Sequence, residues 1–193
     1  MDDVARDKQA LRTLMRRQRK ACAAAERGEA ALLAQRAMEL PVTDWRHVVV
    51  AAYAPAGSEI DPRPLTKALQ QRGARIALPV VTDLNGPLIF RDAEKQDHIP
   101  DLAGVPAPGP DAEELRPDIV LVPLLAFDLF GGRLGQGGGF YDRTLEALRR
   151  DGRVLAIGLA YAGQQVERLE LAPHDQTLDG VLTEDGYRAA FKP

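Results

Sequence analysis

Between residues 118 and 150 an apolar β-branched segment runs into a glycine cluster and then into a helix-forming segment, and this order constrains the fold more than any other feature. Asp118-Ile-Val-Leu-Val-Pro123 has the unbroken Val/Ile/Leu character of a strand buried on both faces, as in a parallel sheet covered by helices. Six of residues 131–139 are glycine, and the pattern from 140 to 150 predicts a helix. Strand, loop and helix in this order form half of a βαβ unit, and open sheets of that kind bind ligands at the carboxyl ends of their strands.

The rest of the chain extends the same reading. Residues 4–40 predict two helices, the first with Val4, Leu11, Leu14 and Met15 at helical spacing and the second over about 24–40, ended by Pro41. His47-Val-Val-Val-Ala-Ala-Tyr53 predicts a buried strand, and Asp61-Pro62 opens a helix that Gly73 ends. Further strands are expected at 75–79, 87–91, 153–160 and 180–183, and the proline-rich stretch 100–117 reads as a surface loop. Strands alternating with helices predict one three-layer α/β domain over 1–193, its mainly parallel sheet flanked by helices. Trp45 and Phe90 read as packing residues.

Charge narrows the function classes. The chain carries 25 Lys and Arg against 28 Asp and Glu, so binding of nucleic acid by bulk positive charge is not expected. A single cysteine, Cys22, excludes an intramolecular disulfide framework and a multi-cysteine zinc site, and reads as a small hydrophobe in a reducing compartment. The N-terminal residues lack the apolar core of a signal peptide, and the longest apolar run, 119–127, is interrupted by Pro123 and falls well short of the ~20 residues that span a bilayer. A soluble, cytoplasmic protein without a membrane partner is the expectation.

Glycines 135, 137, 138 and 139 allow backbone N–H groups to approach an oxyanion, and a helix N-terminus beyond them adds partial positive charge. Arg133 is placed to pair with phosphate oxygens. A flexible loop without a ligand is the ordinary explanation for such a cluster. It is neither a Walker A loop, since no Gly-Lys-Ser/Thr follows, nor a dinucleotide fingerprint. Asp142 on the following helix is either a partner of the helix dipole or, beside a polyphosphate, a magnesium ligand. Seven of residues 4–20 are basic; Lys8 and Arg12 lie one turn apart, and a solvated basic face is the ordinary reading of this helix, including Arg16, Arg17, Arg19 and Lys20.

Val122-Pro-Leu-Leu-Ala-Phe-Asp128 followed by Gly132-Arg-Leu-Gly-Gln-Gly-Gly-Gly-Phe-Tyr-Asp-Arg143 closely resembles the signature of the 5-formyltetrahydrofolate cyclo-ligase family. Lys8 with Arg12, Ser58-Glu-Ile-Asp61, the segment Gly158 to Gln164, His174-Asp175, Leu178-Asp179 and Val181-Leu-Thr-Glu184 resemble further family segments in the right order. Ala107 is a departure, since many members carry a polar or acidic residue there. The resemblance implies a fold like that of ribose-phosphate isomerases and CoA transferases. It also implies ATP- and Mg²⁺-dependent cyclisation of 5-formyltetrahydrofolate, with or without a polyglutamate tail, to 5,10-methenyltetrahydrofolate, releasing ADP and phosphate through a phosphorylated formyl intermediate.

The residues carry over from the resemblance as follows. Lys8, Arg12, Arg133, Leu134, Gly135, Gln136, Gly137, Gly138, Gly139, Phe140 and Tyr141 would contact ATP, with Arg133 and Tyr141 catalytic. Ala54, Glu59 and residues 136–140 (Gln136, Gly137, Gly138, Gly139, Phe140) would contact the folate. Asp142 and Asp179 would bind the magnesium. His174, which has no partner motif for a metal, reads on its own residues as structural rather than catalytic. Two rivals remain at the sequence level: a sugar-phosphate isomerase or deaminase needing no ATP, and a degenerate member acting as a binding or RNA-associated protein.

Overall fold

In the computed structural model, which describes residues 3–25, 27–94 and 98–191, the strand–loop–helix unit forms the centre of a seven-stranded sheet. The side chains of residues 3–7, Val4 among them, lie outside those described. The elements in chain order are α1 (Asp3–Ala24), α2 (Glu29–Gln35), β1 (Val49–Ala51), α3 (Arg63–Gln70), β2 (Arg75–Val80), β3 (Ile89–Asp92), β4 (His98–Pro100) and β5 (Pro106–Pro108). They continue with β6 (Ile119–Pro123), β7 (Ala126–Phe127), β8 (Arg133–Leu134), α4 (Phe140–Arg150), β9 (Leu155–Leu159), β10 (Gly180–Thr183) and β11 (Gly186–Ala189). The second expected helix is shorter than its apolar spacing suggested. It starts after Gly28, which takes a left-handed conformation, and tightens into a 3₁₀ turn at Arg36–Glu39.

The sheet order is β11-β10-β9-β6-β1-β2-β3. Its five inner strands are parallel, whereas β3 and β11 close the two edges antiparallel. Two-residue alternation sorts the side chains into two cores. Val50, Ile76, Ile119, Leu121, Ile157, Leu159 and Leu182 pack under α2 and α3, with Leu33, Leu65 and Leu69 from those helices. Ala51, Ala77, Val120, Val122, Ala156 and Val181 face the other way, against Leu145 of α4. Three layers result, with Trp45 and Phe90 both buried in packing roles. Cys22 is half-buried against the first core.

Helix α1 belongs to neither layer. Its Met15 is buried in a third cluster with Leu125, Ala126, Leu134 and Leu169, so the helix sits by the loops that follow β6. Among the described residues no helix is long and apolar enough to cross a membrane. The expected loop over 100–117 contains β5, and the departure Ala107 lies within it with 1% exposure, so it is a packing position.

Candidate active site

The glycine run divides into two parts with different duties. Gly131 and Gly132 form the turn between β7 and β8, where the Asp128 carboxylate accepts N–H bonds from Phe130, Gly132 and Leu169. A Cβ at Gly132 would meet that carboxylate, so these two glycines serve the hairpin. Gly135, Gln136, Gly137, Gly138 and Gly139 instead line a cavity of about 440 Å³, within the range of small-molecule sites. The left-handed conformations fall at Gly137 (φ 103°) and Gly139 (φ 69°), the latter just before α4, rather than at Gly138.

The cavity collects side chains from across the chain. Ala54 and Glu59 arrive on the loop after β1, Arg133 and Leu134 on β8, Phe140, Tyr141 and Asp142 on the first turn of α4, and Lys8 and Arg12 from α1. Leu78, Val81, Leu88 and Pro123 give it an apolar wall. This is the carboxyl end of the parallel strands, where an α/β sheet binds ligands.

Cations dominate one side. Lys8 Nζ is 2.5 Å from Asp175 Oδ2, and Arg12 Nε donates to the Gly135 carbonyl at 3.1 Å. Arg16, although exposed, donates to Gln136 Oε1 at 3.1 Å. Arg133 is buried; its Nη2 lies 2.5 Å from Asp142 Oδ1, and its Nε is buried with no acceptor among the described residues. Burial presses its pKa below the usual arginine range, against the opposing charges of Asp142 and Asp175; a guanidinium is basic enough to keep its proton in spite of this. Burial, reinforced by Glu59, pushes the Tyr141 phenol pKa up against the opposing charge of Arg133, which keeps it a neutral donor.

The acids do not all converge. Asp142 Oδ1 accepts the Gln176 N–H at 2.9 Å as well as the Arg133 contact, which brings the 175–176 segment beside it. Asp175 lines the same cavity; burial opposes its ionisation, but hydrogen bonds from Lys8 and the Ala172 N–H outweigh that and hold its carboxyl below the usual range. Asp179 lies elsewhere. Its Oδ2 accepts from Arg149 Nη2 at 3.1 Å and from the Ala156 N–H at 2.9 Å, at the amino ends of β9 and β10, beside a separate cavity. Asp142 and Arg149 are seven helical steps apart, about 10 Å of axis. The structure does not bring Asp142 and Asp179, the acids expected to share one magnesium, into the same cavity; the other acids that line it beside Asp142 are Glu59, Asp101 and Asp175. His174 also lines the cavity, with a side chain 80% exposed and Nε2 3.8 Å from Asp175 Oδ1.

Arg19, expected on a solvated basic face, is buried beside the site instead. It is 5% exposed, and it donates to Ser58 Oγ, Glu59 Oε1 and the Leu124 carbonyl at 3.1, 3.2 and 3.3 Å. The available signal was spacing: residues 8, 12, 15 and 19 recur on one helix face, and Met15 among them is apolar.

The sequence model of the 5-formyltetrahydrofolate cyclo-ligase family matches residues 4–184. A 5-formyltetrahydrofolate cyclo-ligase from Escherichia coli K12 is 34% identical over 156 residues, covering 78% of this chain and 85% of the relative. The protein of that name from Mycolicibacterium smegmatis is 34% identical over 187 residues, covering 92% and 94%. Among solved structures, the 5,10-methenyltetrahydrofolate synthetase of Aquifex aeolicus superimposes with a TM-score of 0.76 at 27% identity, covering 96% of this chain and 94% of that one. That of Mycoplasma pneumoniae gives 0.70 at 25% identity, covering 92% and 99%.

Proposed function

The chain belongs to the 5-formyltetrahydrofolate cyclo-ligase family and is an enzyme of that activity, and on that premise we propose that it uses ATP and Mg²⁺ to close 5-formyltetrahydrofolate into 5,10-methenyltetrahydrofolate. The observation that carries the reading is the division of one cavity. Lys8, Arg12, Arg133 and the amides of 135–139 form its cationic side, and Ala54, Glu59 and an apolar wall form the other. A nucleotide polyphosphate suits the first and a flat pterin the second.

A formamide oxygen is a poor leaving group. Transfer of the γ-phosphoryl from ATP to that oxygen releases ADP and turns the formyl carbon into an iminium electrophile. N10 then attacks the carbon and gives up its proton, the C–O bond breaks, and inorganic phosphate departs with the oxygen and takes up that proton. Phosphoryl transfer of this kind needs positioning and charge stabilisation above all. Arg133, with a buried Nε still to be satisfied, fits the charge that spreads over the transferring oxygens. Tyr141 supplies a neutral O–H in the same cavity.

Among the acids of the cavity, Asp142 and Asp175 are the two beside the cationic side, and two carboxylates with phosphate oxygens fit the octahedral oxygen ligation that magnesium prefers. Asp142 and Asp175 would hold it, exchanging their present Arg133 and Lys8 partners for the metal. The ion would supply neutralisation of the polyphosphate. The decisive experiment follows the methenyl chromophore and ADP together. Equal yields, dependent on ATP and Mg²⁺, are expected; folate turnover unaffected by ATP would overturn the reading.

Two substitutions separate the halves of the cavity. Glu59→Gln replaces a carboxylate oxygen with an N–H donor, so the folate KM should rise by about tenfold while the ATP KM moves less than about twofold. Lys8→Ala and Arg12→Ala should do the reverse, each weakening nucleotide binding by roughly 1.5–3 kcal/mol, the range for hydrogen bonds to charged groups. Steady-state kinetics with each substrate varied in turn would check both, and a shared effect on the two KM values would dissolve the division.

A further inference from the structure

Glu59 faces the cavity, and behind it, away from the cavity lining, lies a buried cation. Arg19 Nη1 is 3.2 Å from Glu59 Oε1, with the two side chains 6% and 10% exposed. The guanidinium is itself fixed: Nε donates to Ser58 Oγ and Nη1 also reaches the Leu124 carbonyl, beyond the end of β6. That carbonyl in turn accepts from Gln164 Nε2 at 2.9 Å. The other Glu59 oxygen, Oε2, accepts the Ala56 N–H at 3.0 Å. Both carboxylate oxygens are thus anchored from one side, and each keeps acceptor capacity for a ligand.

We propose that Arg19 is a positioning residue for folate recognition, aiming the Glu59 carboxylate into the cavity through the Arg19–Glu59 pair and the Ser58 and Leu124 anchors. This rests on the reading of Glu59 as the folate contact. Arg19 and Arg12 stand seven residues apart on one face of α1, so a single helix addresses both halves of the cavity: Arg12 meets the glycine loop and Arg19 the folate acid. Helix geometry makes that a separation of about 10 Å along the axis. A guanidinium suits the task because its planar donors can hold an acceptor in a fixed direction, which an ammonium does not.

The test is a double-mutant cycle on the full-length protein with both KM values measured. Arg19→Met should raise the folate KM about tenfold and leave the ATP KM within about twofold, and Arg19→Lys should restore part of the loss. In the Glu59→Gln background, Arg19→Met should change the folate KM by less than about twofold, because the group it aims has already been altered. A full tenfold rise on top of Glu59→Gln, or equal rises in both KM values, would overturn the proposal. If Glu59→Gln alone leaves the folate KM unchanged, the underlying assignment of Glu59 fails instead. Should Arg19→Met not fold, Ser58→Ala removes one anchor while keeping both charges; a selective rise in the folate KM supports the proposal, and an unchanged value overturns it.

Discussion

Arg133→Gln is expected to reduce kcat for methenyl formation by about 10²–10³-fold, the effect of removing one preorganised donor from a site of developing charge. The residue is held for such a role: it is buried, paired with Asp142 at 2.5 Å, and carries an Nε without an acceptor among the described residues. The same substitution strips Asp142 of its cation. Breaking a fully buried pair costs about 3–5 kcal/mol, and the loss here should be smaller because the Asp142 side chain is 21% exposed. Arg133→Lys separates the two consequences. It keeps the charge, so thermal stability should largely return, while the loss of the guanidinium fork should leave most of the rate defect. Rates and melting curves of both variants check this. A lowered melting temperature with near-normal kcat would reduce Arg133 to a structural role.

The second large effect concerns the acids. Asp142→Asn and Asp175→Asn should each raise the Mg²⁺ concentration for half-maximal turnover by at least about tenfold, since a magnesium held by few carboxylates depends on each of them. Asp179→Asn should leave that titration unchanged. It should instead lower the melting temperature, because Arg149 and the Ala156 N–H both donate to its carboxylate. Calorimetric binding of a non-hydrolysable ATP analogue, with and without Mg²⁺, gives a readout independent of turnover. A shifted titration for Asp179→Asn beside a normal one for Asp175→Asn would reverse the assignment.

Much of the fold was legible because its strongest signals are local. The helix expected over 140–150 is α4, and the strand expected over 180–183 is β10. The strand at 119–123 is central, and its buried residues Val120 and Leu121 point into opposite cores, as its unbroken apolar run implied. Other elements leave no local signal. Strands β7 and β8 are two residues each, too short for periodicity to register, and they exist because Asp128 gathers the turn between them. Strand β11 pairs antiparallel with β10, but its Arg188 and Ala189 are exposed, so it carries no apolar pattern.

The sequence by itself determined the α/β class, the mainly parallel sheet and the loop that carries the site, because burial on both faces of a strand and glycine before a helix leave marks on neighbouring residues. It also placed Lys8, Arg12 and Arg19 on one face of α1, since helical spacing is a property of the chain alone. The tertiary structure decided what those side chains meet. Arg19 is buried rather than solvated because it meets Glu59, forty positions later in the chain. Asp175 rather than Asp179 stands beside Asp142, because the chain from 176 to 180 leaves the cavity to start β10 at the opposite end of the sheet. Four residues suffice to carry a carboxylate from one end of a strand layer toward the other. No local pattern records which of two nearby acids stays behind; the packing of α4 against β9 and β10 does.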